Sequence, residues 1–301
     1  MIFRLQTVIP DFMKTVYFSL IALMCLAAIQ SHGQKKNKKN VSDSADYVLG
    51  LDYQSDNIFS GRKDSIRTSY YTASIGYYRP SGFYLRGWVS YQPAESRIDV
   101  LTLDAGYTFH IRKVNGDILL SKNFYNRSSY NVKAEISGML SATFSYDNHF
   151  LTPVLTGFVT LGNFPDVGIT AGVEKIYYVL DDNLSITPSF YINASSQNYY
   201  NAYYEKRRFS DDRKEKKTDM VVTGSITGAS AVKVQDIQFS LPLAYSYRKF
   251  NFFLTPGYDI PVNASEIILK AKSTSGSTET TAYTEKLRNI FSWTVGARYQ
   301  L

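Results

Sequence analysis

Charged residues recur on the polar face of segments in which apolar and polar side chains alternate. In the segment DVLTLDAGYTFHI, apolar residues from Leu101 to Ile111 share one face of an extended strand, and Asp104 lies on the other. Charges on such a face suit a polar lumen, where they line a water-filled path or pair and fill it. Seven charged residues are lumen candidates on this basis: Asp52, Arg86, Asp104, Lys133, Glu135, Asp259 and Arg298.

The same alternation continues to the end of the chain, IFSWTVGARYQL. The face of Phe291, Trp293 and Val295 is apolar, and the face of Ser292 and Thr294 is polar. A final strand of this kind is typical of a transmembrane β-barrel, because lipid tolerates no unpaired strand edge. A two-sheet sandwich also gives period-two patterns. Strands near ten residues or longer, an export signal and this chain end favour the barrel instead.

Turn-forming residues divide the chain into about twelve strands of an up-and-down antiparallel barrel, although ten or fourteen also fit. An even number places both termini in the periplasm. The connections near 200–230 and 263–286 are the longest and are expected to be outer loops. The predicted strands are 45–57, 65–79, 82–92, 97–111, 116–125, 131–146, 149–161, 166–180, 184–199, 231–247, 250–262 and 287–301.

Four prolines fall inside the predicted strands, where each removes a ladder hydrogen bond. They are Pro153, Pro188, Pro242 and Pro256. Bulges are the expected remedy, and the face switch between Val173 and Ile176 indicates at least one. Pro242 lies on the polar face and Pro256 on the apolar face, so the pattern predicts no single repeated device.

The N-terminal segment has the pattern of a signal peptide over residues 1–33, with translation starting at Met1 or Met13. Residues 34–44 form a polar basic tail, and the barrel domain is expected over 45–301. The single cysteine, Cys25, lies in the signal segment. The mature chain is therefore expected to lack disulfides and cysteine-bound metal.

Composition and motifs argue against an enzyme or a nucleic-acid-binding protein. The net charge of +7 is spread over turns, loops and the tail, with no basic helix or aromatic-interleaved sheet. His110 and His149 are predicted beside inner turns, away from the outer rim where a hydrolase would need its base. The adjacent acids Asp211 and Asp212 lie in a charge-mixed loop. We expect no catalytic residue, cofactor or metal.

The loop 200–219 offers a second kind of function. Four tyrosines, Tyr199, Tyr200, Tyr203 and Tyr204, precede the basic residues Lys206, Arg207 and Arg208. Together they could contact lipopolysaccharide or a protein partner at the surface. The simpler hypothesis is that the tyrosines belong to the aromatic belt at the outer membrane interface and the charges solvate the loop.

The run FSLPLAYSYRKFNFFLTPGYDIPVN and the closing FSWTVGARYQL resemble the last strands of small outer-membrane β-barrel proteins of Bacteroidota-type bacteria, a largely uncharacterised family. The end also resembles the barrel-assembly signal, with Thr294, Gly296, Tyr299 and Leu301 in its positions; Leu301 stands where phenylalanine is usual. The resemblance implies a location in the cell outer membrane.

The resemblance also implies contact with membrane lipids and with the barrel assembly machinery during biogenesis. From the lumen charges we predict a narrow, porin-like channel for small solutes. The alternative is an inert barrel whose loops bind lipopolysaccharide or a protein, and an outer-membrane hydrolase is the least favoured class.

Overall fold

The computed structural model describes residues 45–63, 68–129, 131–203, 220–273 and 278–301. The predicted signal peptide and basic tail lie outside these residues, as does most of the loop 200–219. In the described part of the chain, no helix has the length and apolar character needed to cross a membrane.

The described residues form eighteen strands, one short helix and one 3-10 turn. The strands are β1 Asp46–Gln54, β2 Tyr70–Tyr78, β3 Phe83–Gln92, β4 Arg97–Ile111, β5 Val114–Tyr125, β6 Gly138–Tyr146, β7 Thr152–Leu161, β8 Val167–Glu174, β9 Tyr177–Val179, β10 Leu184–Ile186, β11 Ser189–Ser195, β12 Met220–Ile226, β13 Lys233–Ser240, β14 Leu243–Tyr247, β15 Phe250–Pro261, β16 Glu266–Ser273, β17 Thr278–Thr284 and β18 Ile290–Gln300. The 3-10 turn is Pro93–Glu95, and helix α1 is Asn198–Tyr203.

Fifteen of these strands form one closed antiparallel sheet. Two pairings close the ring. The first and last strands, β1 and β18, pair from Val48↔Gln300 to Gln54↔Thr294, and β13 pairs with both β11 and β15. Three of the barrel spans consist of two strands each (β8 with β9, β10 with β11, β13 with β14), so the fifteen strands make twelve spans. The predicted barrel of twelve antiparallel strands is confirmed.

The hairpin β1–β2 shows how the outer wall is layered. Its outward pairs are Tyr47↔Tyr77, Leu49↔Ile75, Leu51↔Ala73 and Tyr53↔Tyr71, so a tyrosine pair lies at each end and aliphatic side chains lie between. Within each tyrosine pair the two rings are in contact, with centroids 5.3 Å apart in Tyr47–Tyr77 and 5.0 Å apart in Tyr53–Tyr71. The pairs are six residues apart along β1, or roughly 20 Å. This is an apolar band flanked by aromatic girdles, as a bilayer requires.

The connections differ in length between the two ends of the barrel. Short turns at 79–82, 112–113, 147–151, 180–183 and 248–249 lie at the end that also carries both termini of the sheet. At the other end, the connections 93–96 and 162–166 are equally short, but the other four are longer. The two longest contribute β12, β16 and β17, which form a separate three-stranded sheet. The sequence did not reveal this sheet.

Several predicted strand boundaries are wrong, and two of them misplace a turn or a loop. The β4–β5 turn is Arg112–Lys113, with Arg112 at a positive φ of 56°, and β5 begins at Val114 rather than at 116. The strand predicted over 131–146 begins at Gly138. Residues 131–137 instead turn back locally: Asn131 Oδ1 accepts from the Lys133 amide at 2.9 Å, and its carbonyl accepts from the Ala134 amide at 2.9 Å. Lys133 and Glu135 therefore lie in a loop.

Three of the four prolines make the same kind of contact between neighbouring spans, which the sequence did not reveal. Each two-strand span has a break between its two strands, and the breaks of neighbouring spans lie side by side in the wall. At each break, a backbone amide donates a hydrogen bond to the carbonyl of a proline on the next span. The backbone amide of Lys175 donates to the carbonyl of Pro188 at 3.2 Å. The amide of Thr187 donates to the carbonyl of Pro242 at 2.8 Å, and the amide of Leu241 donates to the carbonyl of Pro256 at 3.0 Å. The face switch predicted after Val173 is the first of these breaks. A proline lacks a donor but keeps its acceptor, so this seam keeps the wall joined.

The two faces of the wall predict opposite responses to one charge. Leu254 faces outward and its neighbour Thr255 faces inward, at the same depth of β15. Leu254→Arg should destabilise the barrel by about 2–4 kcal/mol because it places a cation against hydrocarbon, whereas Thr255→Arg should cost little in a wet lumen. Unfolding by urea in lipid vesicles measures both. Equal losses for the two variants would contradict the assignment of faces.

Candidate functional site

Charged residues of the lumen pair along the wall. Arg86 on β3 and Asp104 on β4 are register partners, and Arg86 Nη2 lies 2.8 Å from Asp104 Oδ2. Ser121 on β5 donates to the other oxygen of Asp104 at 2.5 Å. The guanidinium also lies between the rings of Tyr84 and Trp88, 4.9 and 5.0 Å from their centroids. This cluster pairs its two opposite charges on neighbouring strands, without crossing the lumen.

Aromatic side chains lie flat on the wall where a glycine leaves room. A Cβ on Gly106 would fall 2.2 Å from Tyr84 Cζ, so the ring of Tyr84 occupies that space and its hydroxyl donates to Asp117 at 3.0 Å. The same arrangement recurs at Gly172, where a Cβ would fall 2.2 Å from Tyr191 Cδ1 and backbone, and the hydroxyl of Tyr191 donates to Glu174 at 2.9 Å. Bulky side chains thereby line the lumen without filling it.

Space remains inside the barrel. One cavity of about 330 Å³ lies among β1 to β6 and the loops above them, and includes Asp52 and Trp88. A second of about 440 Å³ is lined by β6, β7, β8, β11 and β13, and includes Glu174. A third of about 540 Å³ lies at the short-turn end around Arg298. The linings are mixed polar and apolar, as in a passage for polar solutes.

The other predicted lumen residues lie in different surroundings. Asp52 and Lys133 line the 330 Å³ cavity, Lys133 from its loop. Arg298 lies at the short-turn end with its guanidinium 4.9 Å from the ring of Phe253. Asp259 is on the inward face of β15 and is 3% exposed. Glu135 lies in the loop before β6 and lines none of these three cavities.

Sequence analysis missed four lumen acids. Asp46, Asp117 and Glu174 occupy inward positions of their strands, and strict alternation would have found them. Asp236 was hidden because the register of β11 and β13 shifts between Asn193 and Ala194. Its Oδ2 accepts from Asn193 at 3.0 Å.

The connections at the long-loop end pack together into a structure that we call the cap. The cap comprises β12, β16, β17, α1 and the connections 55–63 and 131–137. Its core contains seven buried side chains, with Phe59, Ala229 and Leu269 packed against them. The buried residues are Val132, Ile136, Tyr199, Tyr200, Tyr203, Ile226 and Ile267. Four connections thus share one small hydrophobic core, which holds them over the end of the barrel.

Arg62 joins the cap to the barrel rim. Its side chain is 2% exposed and donates to Gln235 Oε1 at 3.0 Å and to the backbone carbonyls of Ser60 and Asn263. It also pairs with Glu285 at 3.2 Å, and Glu285 accepts from the hydroxyl of Tyr200 at 2.8 Å. One buried guanidinium therefore contacts four segments: the connection that follows β1, strand β13, the connection before β16 and the connection after β17.

Asp166 holds the start of α1. Its carboxylate accepts from the amides of Asn198 and Tyr199 at 2.7 and 2.8 Å and from the hydroxyl of Ser196 at 2.5 Å. Burial raises the pKa of the Asp166 carboxyl, although these hydrogen bonds favour its charged form. Burial likewise raises the pKa of the Tyr199 hydroxyl. Both groups belong to the interior of the cap.

The prediction for the tyrosines of the loop 200–219 needs correction. Tyr199, Tyr200 and Tyr203 are 1%, 4% and 4% exposed, because they form the core of the cap. They are neither an interface belt nor a contact surface. Tyr204 and the basic residues that follow it lie outside the described residues.

The two histidines lie at the short-turn end, as predicted. His110 is the penultimate residue of β4, with its Nδ1 2.6 Å from Asn115 Oδ1, and His149 lies in the β6–β7 turn. Within the described residues, no group of three His, Cys, Asp or Glu side chains could hold a metal ion.

No protein-family model matches the chain, and no curated protein matches it. Solved structures resemble its fold. The KdgM porin is 10% identical with a TM-score of 0.46, over 84% of this chain and 99% of that chain. The NanC porin is 8% identical with a TM-score of 0.45, over 85% and 100%. The COG4313 outer membrane channel from Pseudomonas putida F1 is 9% identical with a TM-score of 0.36, over 89% and 100%. These similarities identify no solute for this chain.

The ion pair of Arg62 predicts an unequal response to mutation. Glu285→Gln leaves the guanidinium buried without its countercharge, which should cost about 3–5 kcal/mol of cap stability. The combined change Arg62→Met and Glu285→Gln removes both charges and should cost less. Hydrogen exchange of the β16 amides, compared with those of β4, measures opening of the cap separately from unfolding of the barrel.

Glu95→Gln is the matched control, because Glu95 pairs with Arg97 at 3.3 Å in an exposed turn at the same end. Its effect should be below about 1 kcal/mol. A double variant that opens the cap more than Glu285→Gln alone would contradict the role given to the buried charge.

Proposed function

We propose that this chain is a barrel of the bacterial outer membrane that acts as a narrow, porin-like channel for small polar solutes, with both termini in the periplasm. The observation that carries the proposal is the wall-bound pairing of the lumen charges. Between different strands of the described barrel, side-chain hydrogen bonds join adjacent or next-but-one strands, as in Arg86–Asp104 and Tyr84–Asp117. A lumen filled for stability alone would pair its charges across the barrel.

The outer membrane is the location that the outward face favours. Exposed aliphatic and aromatic side chains cover the wall, for example Leu51 at 62%, Ile75 at 54% and Phe291 at 62%. Such a surface in water would drive aggregation, whereas in a bilayer it is the expected contact. Membrane lipids are therefore the proposed surroundings of the barrel. Contact with the barrel assembly machinery through Thr294, Gly296, Tyr299 and Leu301, and the Bacteroidota-type origin, stay predictions.

The charge around the cavity at the short-turn end gives the proposed channel a preference. Arg248, Lys249 and Arg298 line it against one acid, Asp46. A constriction lined by cations attracts anions and repels cations, and low-dielectric walls strengthen the field. Anions should therefore pass this end of the lumen more readily than cations of the same size.

Reversal potentials in planar bilayers under a salt gradient test the proposal. Arg298→Gln should shift the permeability ratio toward cations because it removes a lumen cation. Asp52→Asn should shift it toward anions. The two shifts of opposite sign distinguish a lumen effect from a loss of folded protein, which would lower conductance without changing the ratio.

Lys113→Gln is the matched control, because Lys113 lies exposed in the β4–β5 turn rather than along a lumen cavity. It should leave the ratio unchanged. A folded barrel that stays impermeant in bilayers, or a ratio unaffected by both lumen substitutions, would overturn the channel.

A further inference from the structure

The cavity of about 330 Å³ beneath the cap has two different kinds of wall. Its sides are barrel strands β1 to β6, and the cap contributes Asn57, Phe59, Asn131, Lys133 and Ile136. The volume is near the lower end of the range of about 300–1,000 Å³ for small-molecule sites. It suits a solute the size of one sugar ring.

Aromatic faces and hydrogen-bonding groups share this lining. Trp88, Tyr70 and Tyr125 supply rings, and Gln54 and Asn123 supply side-chain amides. The hydroxyls of Thr72, Ser90, Thr102 and Ser121 also line it. Rings bind the apolar face of a saccharide-like molecule, while amides and hydroxyls bind its hydroxyl groups. Thr72 bonds Ser90, Thr102 bonds Asn123 and Ser121 bonds Asp104 within the wall. Each hydroxyl still has a free lone pair that a hydroxylated ligand can use.

Lys133 is the uncompensated charge of the cavity. Among the described residues its ammonium has no ion pair, and Nζ lies 5.9 Å from the centroid of the Phe59 ring. Burial of the ammonium lowers the pKa of Lys133. Asp52 also lines the cavity, but its electrostatic partner is Arg298.

A second group in the cavity also lacks a partner. Asn57 is 9% exposed, and its buried side-chain oxygen Oδ1 has no hydrogen bond within the part of the chain that the structure describes. A buried acceptor left unpaired costs about 1–3 kcal/mol, so a donor from a ligand would be favourable there. Lys133 and Asn57 come from two different connections of the cap, and both line the same cavity.

We propose that this cavity binds a sugar-sized, hydroxylated monocarboxylate, with its carboxylate on Lys133, a hydroxyl donating to Asn57 and its ring against Trp88. A neutral sugar lacks the partner for Lys133, and a dianion would leave one charge without a cation among the described residues that line the cavity. The proposal deepens the channel function, since it names the class of solute that the lumen would select.

Tryptophan fluorescence tests the site directly, because the chain has two tryptophans and Trp293 faces outward. Trp293→Phe leaves Trp88 as the only reporter in the refolded full-length mature barrel. Glucuronate should change its fluorescence saturably, and glucose, which lacks the carboxylate, should bind at least 10-fold more weakly. Lys133→Gln should abolish this preference, and Lys133→Arg should retain it.

Asn57→Leu should weaken the binding of both glucuronate and glucose, and Lys113→Gln should change the binding of neither. Heat-modified mobility on gels confirms that each variant is folded. A Trp88 signal that does not respond to glucuronate, or a preference that survives Lys133→Gln, would overturn the site.

Conductance measured on the same preparations separates this site from the channel. A barrel that conducts but shows no saturable Trp88 signal would overturn the binding site alone. Saturable, Lys133-dependent binding in a barrel that never conducts would support the site and overturn the channel.

Discussion

Every backbone donor and acceptor of a strand in lipid must find a partner within the protein. In this chain the pairing of β1 with β18 leaves no free strand edge between the first and last barrel strands. The first and last barrel strands are joined over seven register pairs, from Val48↔Gln300 to Gln54↔Thr294. Gly296 allows the close approach, since a Cβ there would fall 2.7 Å from the Leu51 carbonyl oxygen. At the prolines, where a donor is missing, the seam of proline carbonyls keeps neighbouring spans bonded.

Closure makes the two faces chemically opposite. The outside meets hydrocarbon and carries aliphatic residues between tyrosine girdles, so polar and charged side chains collect inside. There the charges need partners, and the wall supplies them locally, as Asp104 shows with Arg86 and Ser121. The cap meets a different requirement: its loops bury a small core and the charge of Arg62, and beneath them the cation of Lys133 stays unpaired among the described residues.

The barrel was predictable because period-two alternation reports a wall with one apolar face, and the strand count follows from it. The inward positions of Asp52, Arg86, Asp104 and Arg298 followed for the same reason. The cap was not predictable, because β12, β16 and β17 are built from loop residues whose partners are distant in sequence. Tyr199 and Tyr200 were misassigned because a tyrosine suits a membrane interface and a small buried core equally. The pattern also could not show that residues 131–137 fold back into a loop, or that a register shift hides Asp236.

Thiol accessibility along β18 tests the central claim of an apolar outer wall around a water-filled lumen. Single cysteines at Ser292, Thr294 and Arg298, and at Phe291, Trp293 and Val295, are placed in a Cys25→Ser chain and reconstituted in lipid vesicles. A membrane-impermeant, water-soluble thiol reagent should label the first three positions, because they face the lumen, and leave the second three largely unlabelled in lipid. Labelling that ignores the alternation, or that favours the second set, would contradict the account.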